Sequence, residues 1–458
     1  MPTKQKDIIT KSAELPAAIL QLTVEAGIHA RDSLPENKIL KKTGRYWHML
    51  GPGLTTGASD DDPSGVLTYS QTGAKYGFNL LWMAPLTFPL MAVIQEMCAR
   101  IGLVTGRGLA GNIRVHFNKK ILYMCTTLLF IANSINIGAD LGAMAKAMQL
   151  LIPHLNFAAL VIGFSLLSLG LQIFTPYARY ARYLKWLALV LLSYVFSTLM
   201  ANLDWSDVLR HAVVPQLTFD KEQMILICAI LGTTISPYLF FWQTSQEVEE
   251  QILLGKTTLR QRRTLTSKED ISNMRVDVWS GMFLSNLVMF FIIAACGALL
   301  YKNGITEITS AAQAAEALRP FAGDATYYLF AIGIIGTGLL AIPVLAGSSS
   351  YAIAESLRWK EGLYRNLSQA HAFYGMIIIS MMVGLAINFL GIDPINALIY
   401  SAVANGLIAP PILLLIVLMS SNRKIMGRWT NKPFTTFIGW FVCLMMFAAG
   451  LAAIYSMF

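Results

Sequence analysis

Apolar residues run along this chain in long blocks, and their lengths define the elements. Counting runs long enough to cross a hydrocarbon core of about 30 Å gives eleven expected membrane spans. They lie near 47–77, 80–103, 121–149, 155–175, 184–203, 222–247, 276–301, 325–354, 371–391, 394–420 and 434–457. Nine are uninterrupted. The first and the sixth are broken, each by polar residues followed by proline.

The first break reads LGPGLTTGASDDDPSG, from Leu50 to Gly65. Asp60, Asp61 and Asp62 follow one another where apolar residues should continue. Each carboxylate at that depth costs about 2.5 kcal/mol or more on insertion scales. Pro63 has no backbone donor and clashes with the preceding turn, so the helix opens here. An opened helix is tolerated at membrane depth only where it is buried in protein or lines a wet cavity. A loop outside the bilayer does not fit, because Trp47 to Ala58 is too short to span alone. The sixth span, Ile225 to Trp242, is interrupted by Thr233, Thr234, Ser236 and Pro237. It lies five spans after the first, so a five-span repeat would be inverted across the membrane. Matched breaks in two such halves point to a transport site near the midplane.

Composition narrows the class. The chain is 55% hydrophobic and only 13% charged, about half the charge of an average soluble protein. The expected fold is therefore an all-α integral membrane protein. Its expected parts are a cytoplasmic tail at 1–46, spans one to five at 47–203 and an extracytoplasmic loop at 204–221. Spans six to ten at 222–420 follow, then a loop and the eleventh span at 421–458. No cleavable signal peptide is expected, since the patch from Leu15 to Ile28 is short and carries Glu14 and Glu25. It reads as an amphipathic surface helix or a disordered tail.

The net charge of +9 does not indicate nucleic acid, because the cations fall in alternate loops. Eight Lys and Arg precede the first span, and Lys256, Arg260, Arg262, Arg263, Lys268 and Arg275 mark the sixth-to-seventh loop. By the positive-inside rule the N-terminus is cytoplasmic and the C-terminus outside, in a prokaryotic inner membrane. The lipid bilayer is the expected surrounding. The five cysteines lie in apolar segments without metal-ligand spacing and read as packing residues.

Three features carry candidate chemistry. The acidic triplet suits a cation, a proton, or both in exchange. Ser236 and the carbonyls near Thr233 form a facing half, because Pro237 frees carbonyls one turn earlier. Those hydroxyls could equally serve only to satisfy the freed groups. Asp140, inside span three with Lys146 six residues on, reads as a proton relay or as an interior acid with a polar partner. Glu96, with Arg100 one turn on, reads as structural. Tyr238, Phe240, Phe241 and Trp242 read as lipid or packing contacts, with a cage for an organic cation as the alternative. No GxxxxGK[ST] motif occurs, so energy must come from ion gradients or the membrane potential. An enzyme is not expected.

The chain resembles the natural-resistance-associated macrophage protein family of divalent-metal transporters. The blocks that carry this are GPG at 51–53, the Asp62-Pro63 of the first break, AKYGFNLLW at 74–82 and ARIGLVTGRGLA at 99–110. ADLGA at 139–143, RVDV at 275–278, LAGSSS, ESLRW, LGIDPINALIYS at 390–401 and FIGW at 437–440 continue the match. The resemblance implies a LeuT-like 5+5 inverted repeat with an additional eleventh helix, and alternating access around a site between spans one and six. It implies Asp62 as metal ligand, with the carbonyls of Ser59 and Thr233.

The site departs from the family pattern. DPGN becomes Asp62-Pro63-Ser64-Gly65, and MPH becomes Ser236-Pro237-Tyr238. The acid expected three residues after Asp140 is Ala143, and the span-ten glutamine is matched by Ala402. With no thioether, the remaining oxygen donors favour hard ions such as Mg²⁺, Ca²⁺ or Mn²⁺, a pattern similar to the family's magnesium-transporting relatives. Gly65, Ser236 and Ala402 are also expected to widen the cavity. The expected function is a secondary transporter or facilitator of a divalent cation, held by Asp62 with Asp60 or Asp61 and Ser236. The alternatives are a carrier of a small organic cation or metal chelate, or a non-transporting membrane sensor. No cofactor is implied; the ion is cargo.

Overall fold

The computed structural model describes residues 49–457 apart from 176, 200–202, 219, 309 and 391–393. The expected tail at 1–46 lies outside the described residues. The first span is two helices, α1 (Pro52–Asp60) and α2 (Pro63–Tyr76), joined by Asp61 and Asp62. Then come α3 (Met83–Thr105), a short α4 (Leu109–His116), α5 (Lys119–Leu151) and α6 (Phe157–Phe174). The fifth span is assembled from α7 (Tyr177–Leu187), a 3₁₀ turn (Ala188–Leu191) and α8 (Leu192–Leu199). A surface helix, α9 (Trp205–Val213), precedes the second broken span, α10 (Lys221–Thr234) and α11 (Pro237–Leu253). The rest comprises α12 (Leu259–Thr264), α13 (Lys268–Leu299), α14 (Ala311–Leu357), α15 (His371–Ile387), α16 (Pro394–Ser420), α17 (Arg423–Met426) and α18 (Pro433–Met457).

Among the described residues eight helices are long and apolar enough to cross a membrane. The other three of the eleven spans are the broken first, the pieced fifth and the short α15. Several ends differ from expectation for local reasons. α13 starts at Lys268 rather than near 276, because Ser267 and Asp270 form a capping box. The fifth span begins at Tyr177 rather than near 184. α14 carries a non-helical Gly323 (φ 84°), and the expected loop at 204–221 contains α9, capped by Asp204.

Proline placement explains both breaks. Pro63 opens α2 and Pro237 opens α11, at the helical start, where the missing N–H is no loss. Asp62 and Ser236, both in extended backbone, stand at the N-cap positions. Two glycines then bring α1 onto α13. A Cβ on Gly57 would lie 2.2 Å from the Gly281 carbonyl oxygen, so the helices touch backbone to backbone. Beside this crossing Asp277 of α13 caps α1. Its carboxylate accepts from the amides of Gly51 (2.7 Å), Gly53 (2.6 Å) and Leu54 (3.0 Å). A negative charge against the start of a helix is the favourable end of the dipole. Glu96 accepts from Arg275 (2.8 Å) and Trp279 (3.0 Å), with Arg100 at 3.5 Å, which makes it the structural acid expected.

Candidate metal site

The three aspartates are sealed from solvent, Asp60 and Asp61 at 0% and Asp62 at 1% exposure. They share a sequence stretch but not a direction, because the backbone leaves the helix at Asp61 (φ −86°, ψ 50°) and is extended at Asp62. Asp60 Oδ2 accepts from Ser285 Oγ of α13 at 2.8 Å, leaving Oδ1 without a partner. Neither carboxylate oxygen of Asp61 has a hydrogen-bond partner. Asp62 Oδ1 accepts from Ser64 Oγ (2.5 Å) and the Gly65 amide (2.7 Å), and Oδ2 accepts from Asn136 Nδ2 of α5 (2.8 Å). Among the described residues no three His, Cys, Asp or Glu side chains converge on one point at ligating distance.

At the second break Ser236 Oγ donates to the carbonyls of Gly232 and Thr233, each at 2.7 Å. The serine therefore does satisfy the freed groups, and one lone pair of the Thr233 carbonyl is engaged. The two breaks meet at Gly65. A Cβ there would lie 3.2 Å from Thr233 Oγ1 and 3.3 Å from the Asp60 carbonyl. A side chain there would need Thr233 to give by a few tenths of an ångström, so the expected widening is not seen at this position: Thr233 packs against it. The side chain of Ala402 lies outside the described residues.

Tyr238 takes part in the site, although the sequence favours a packing or lipid role for it over an organic-cation cage. It is fully buried with Phe240, Phe241 and Trp242, which rules out lipid contact for all four. Its hydroxyl donates to the Ser59 carbonyl at 3.0 Å, one of the two carbonyls expected to face the ion. Tyr69 flanks Gly65 and has a buried hydroxyl without a partner.

Asp140 stands on α5 one turn beyond Asn136, buried, with neither oxygen hydrogen-bonded. Lys146 is not its partner. Asn136 and Ser285 were missed by sequence reasoning. The signal for Asn136 was present, since Asn133, Asn136 and Asp140 recur at helical spacing on one face of α5. Asn133 fixes that face, donating to Leu345 O (3.1 Å), Ser348 Oγ (3.0 Å) and Ser349 Oγ (2.9 Å) of α14. Ser285 gave no signal, because its partner is 225 residues away.

The inventory is thus oxygen only: buried carboxylates, an amide, hydroxyls and carbonyls. Buried polar atoms are normally partnered, so a cluster of unpartnered oxygens needs a reason. A small cation or protons supply what such a cluster lacks, and hard cations are the ones that take oxygen ligands.

Eleven spans, with the first and sixth opened where they meet, form the scaffold of a multi-pass membrane transporter, with a LeuT-like inverted repeat and an added eleventh helix. The chain belongs to the family described as natural resistance-associated macrophage protein-like (Nramp), whose model matches residues 53–456. It is 25% identical over 409 residues to the "divalent metal cation transporter MntH" of Caldanaerobacter subterraneus, covering 87% of this chain and 90% of that one. It is 25% identical over 419 residues to the MntH of Verminephrobacter eiseniae, covering 89% and 90%. Among solved structures its fold is similar to the Eremococcus coleocola manganese transporter (TM-score 0.70, 17% identity, 92% of this chain and 88% of that one). It is also similar to Mhp1, a nucleobase-cation-symport-1 family transporter (TM-score 0.55, 15% identity, 89% and 91%).

Proposed function

We propose that this protein moves a hard divalent cation, of the Mg²⁺, Mn²⁺ or Ca²⁺ kind, across the membrane by alternating access. The observation that carries the reading is the set of unpartnered oxygens on Asp60 and Asp61, buried beside Asp62 where the two breaks meet. Asp62 is the principal ligand in this reading. The Oδ1 of Asn136, also unpartnered, supplies an amide in place of the one absent at Gly65. The carbonyls of Ser59 and Thr233 each keep a second lone pair for the ion, and Ser236 and Gly65 line the contact. Asp140 is the proposed proton relay, since it is a buried carboxylate with neither oxygen partnered, one turn beyond the Asn136 that donates to Asp62. The N-terminus is cytoplasmic in this reading, residues 47–203 and 222–420 form the two repeats, and the membrane is a prokaryotic inner one.

Family membership and the names of the relatives support a divalent ion. The tight contact at Gly65 and the packed aromatics of α11 weigh against an organic cation or chelate. Uptake of Mg²⁺, Mn²⁺, Ca²⁺ and a small organic cation into proteoliposomes tests the reading. Divalent uptake lost in Asp62→Ala supports it, and a softer-metal preference in Ser236→Met would place that serine at the ion. Transport of the organic cation alone, or divalent uptake unchanged in Asp62→Ala, overturns it.

A further inference from the structure

On the face of the bundle that carries the basic loops lies a second polar cavity, of about 330 Å³. It is built from the α3–α4 turn, α4, the second half of α11, α12, the end of α14 and the segment after it, and no residue of α1 or α5 lines it. It is therefore separate from the site between the two breaks. Four arginines from four different segments face it: Arg107, Arg114, Arg262 and Arg358.

None of them is closely paired with an acid. Three glutamates share the lining, yet among the described residues none makes an ion pair within 4 Å with these arginines. Glu249 is used inside the protein, accepting from Tyr351 Oη (2.5 Å) and the amides of Leu363 (2.8 Å) and Tyr364 (3.1 Å). Glu355 accepts the Gly111 amide at 2.7 Å. Arg114 donates to the Glu355 carbonyl, and Arg262 to the carbonyls of Gly106 (3.1 Å), Lys256 (3.3 Å) and Thr257 (2.9 Å). The guanidiniums of Arg107 and Arg358 have no hydrogen-bond partner among the described residues.

Two further observations describe the arginines. Burial, and then the charges of Arg263 and Arg114, lower the pKa of Arg107, so positive charges crowd around its guanidinium. Arg358 is the one non-glycine residue with positive φ (61°) among the described residues. Its backbone is the left-handed cap that ends α14, with its N–H donating to the carbonyls of Ala354 and Glu355, which sets this arginine at the end of the helix beside the cavity. Trp359 and Tyr364, part-exposed at the rim, are the amphipathic rings common at headgroup level.

We propose that this cavity binds the phosphate of an anionic ligand, engaged by Arg107 and Arg358 with Arg114 and Arg262 behind them. Guanidinium forks match phosphate oxygens two at a time, and basic pockets between spans hold lipid headgroups. The phosphate source is either an anionic lipid headgroup or a free phosphate ion. It does not depend on the identity of the cargo.

The test is native mass spectrometry of the full chain in neutral detergent with phosphatidylglycerol, phosphatidylcholine or inorganic phosphate. Wild type should retain phosphatidylglycerol over phosphatidylcholine, and Arg107→Gln/Arg358→Gln should lose at least tenfold of that retention. Arg423→Gln/Lys424→Gln, on another basic loop, should lose none. Arg107→Lys/Arg358→Lys keeps the charge and should retain part of the binding, which covers the case of a misfolded glutamine variant. Displacement by millimolar inorganic phosphate would identify free phosphate as the ligand, and its failure the lipid headgroup. Equal retention of the two lipids with no phosphate adduct overturns the proposal. So does equal loss in both glutamine variants.

Discussion

The hydroxyl of Tyr238 donates to the carbonyl of Ser59 across 3.0 Å, joining two helix breaks that lie 179 residues apart in sequence. A tyrosine on the second break thus occupies an oxygen that the first break exposes by unwinding. Tyr238→Phe leaves that carbonyl without its donor. Loss of one buried hydrogen bond should lower stability by about 1 kcal/mol, while the freed lone pair should tighten divalent-cation binding. Thermal unfolding and calorimetric titration with Mn²⁺ check both; weaker binding would show that the tyrosine helps hold the ion.

Asp62 has two roles that substitution can separate. It caps α2 through the Gly65 amide and is the proposed ligand. Asp62→Asn keeps a good cap and removes the charge; Asp62→Ala removes both, at about 1 kcal/mol for the cap. Uptake should fall at least tenfold in both variants, whereas the melting temperature should drop mainly in the alanine variant. Uptake surviving in Asp62→Asn would leave Asp62 as a cap alone.

Asn136 offers the amide that Gly65 cannot. Asn136→Leu should weaken cation binding about tenfold, the equivalent of about 1.4 kcal/mol. Asp140→Asn should alter the pH dependence of uptake more than the affinity. Titration and uptake across a pH series distinguish the two outcomes.

The crossing of α1 and α13 tolerates no side chain. Gly57→Ala places a methyl 2.2 Å from the Gly281 backbone. Overpacking of that kind costs about 1–3 kcal/mol or more. A lowered melting temperature, together with lost uptake, is expected; an unchanged melt would mean that α1 can shift away from α13.

At the far ends of α2 and α10, Tyr76 Oη donates to Asp220 at 2.6 Å and Lys75 pairs with Glu222 at 2.8 Å. Hydrogen bonds from Thr218 and Tyr76 hold Asp220 below the ordinary carboxylate range. A depressed pKa means that its contribution is whole above the unfolded value, about 3.9, and is lost as pH falls through the lower folded value. Wild type should therefore exceed Asp220→Asn in thermal stability near neutral pH. The two should converge in acid below that value, and a constant gap across the series would exclude the linkage.

The family blocks, the alternation of basic loops and two prolines after polar runs were enough to establish the class, the eleven spans and the two breaks. Hydropathy sets where a chain can cross a bilayer, and proline sets where a helix must open; both act locally, so both can be read locally. Which way the acids point could not be read, because the chain leaves the helix after Asp60, and distant Ser285 claims Asp60, distant Asn136 claims Asp62 and nothing claims Asp61. Ser285, Asn136 and Tyr238 reach the site only by packing, across separations of 225, 74 and 179 residues. The same holds for the space at Gly65, which the missing side chain is expected to open and against which Thr233 packs. Local composition decided what this chain is made to span; contacts between distant segments decided which oxygens remain for a cation.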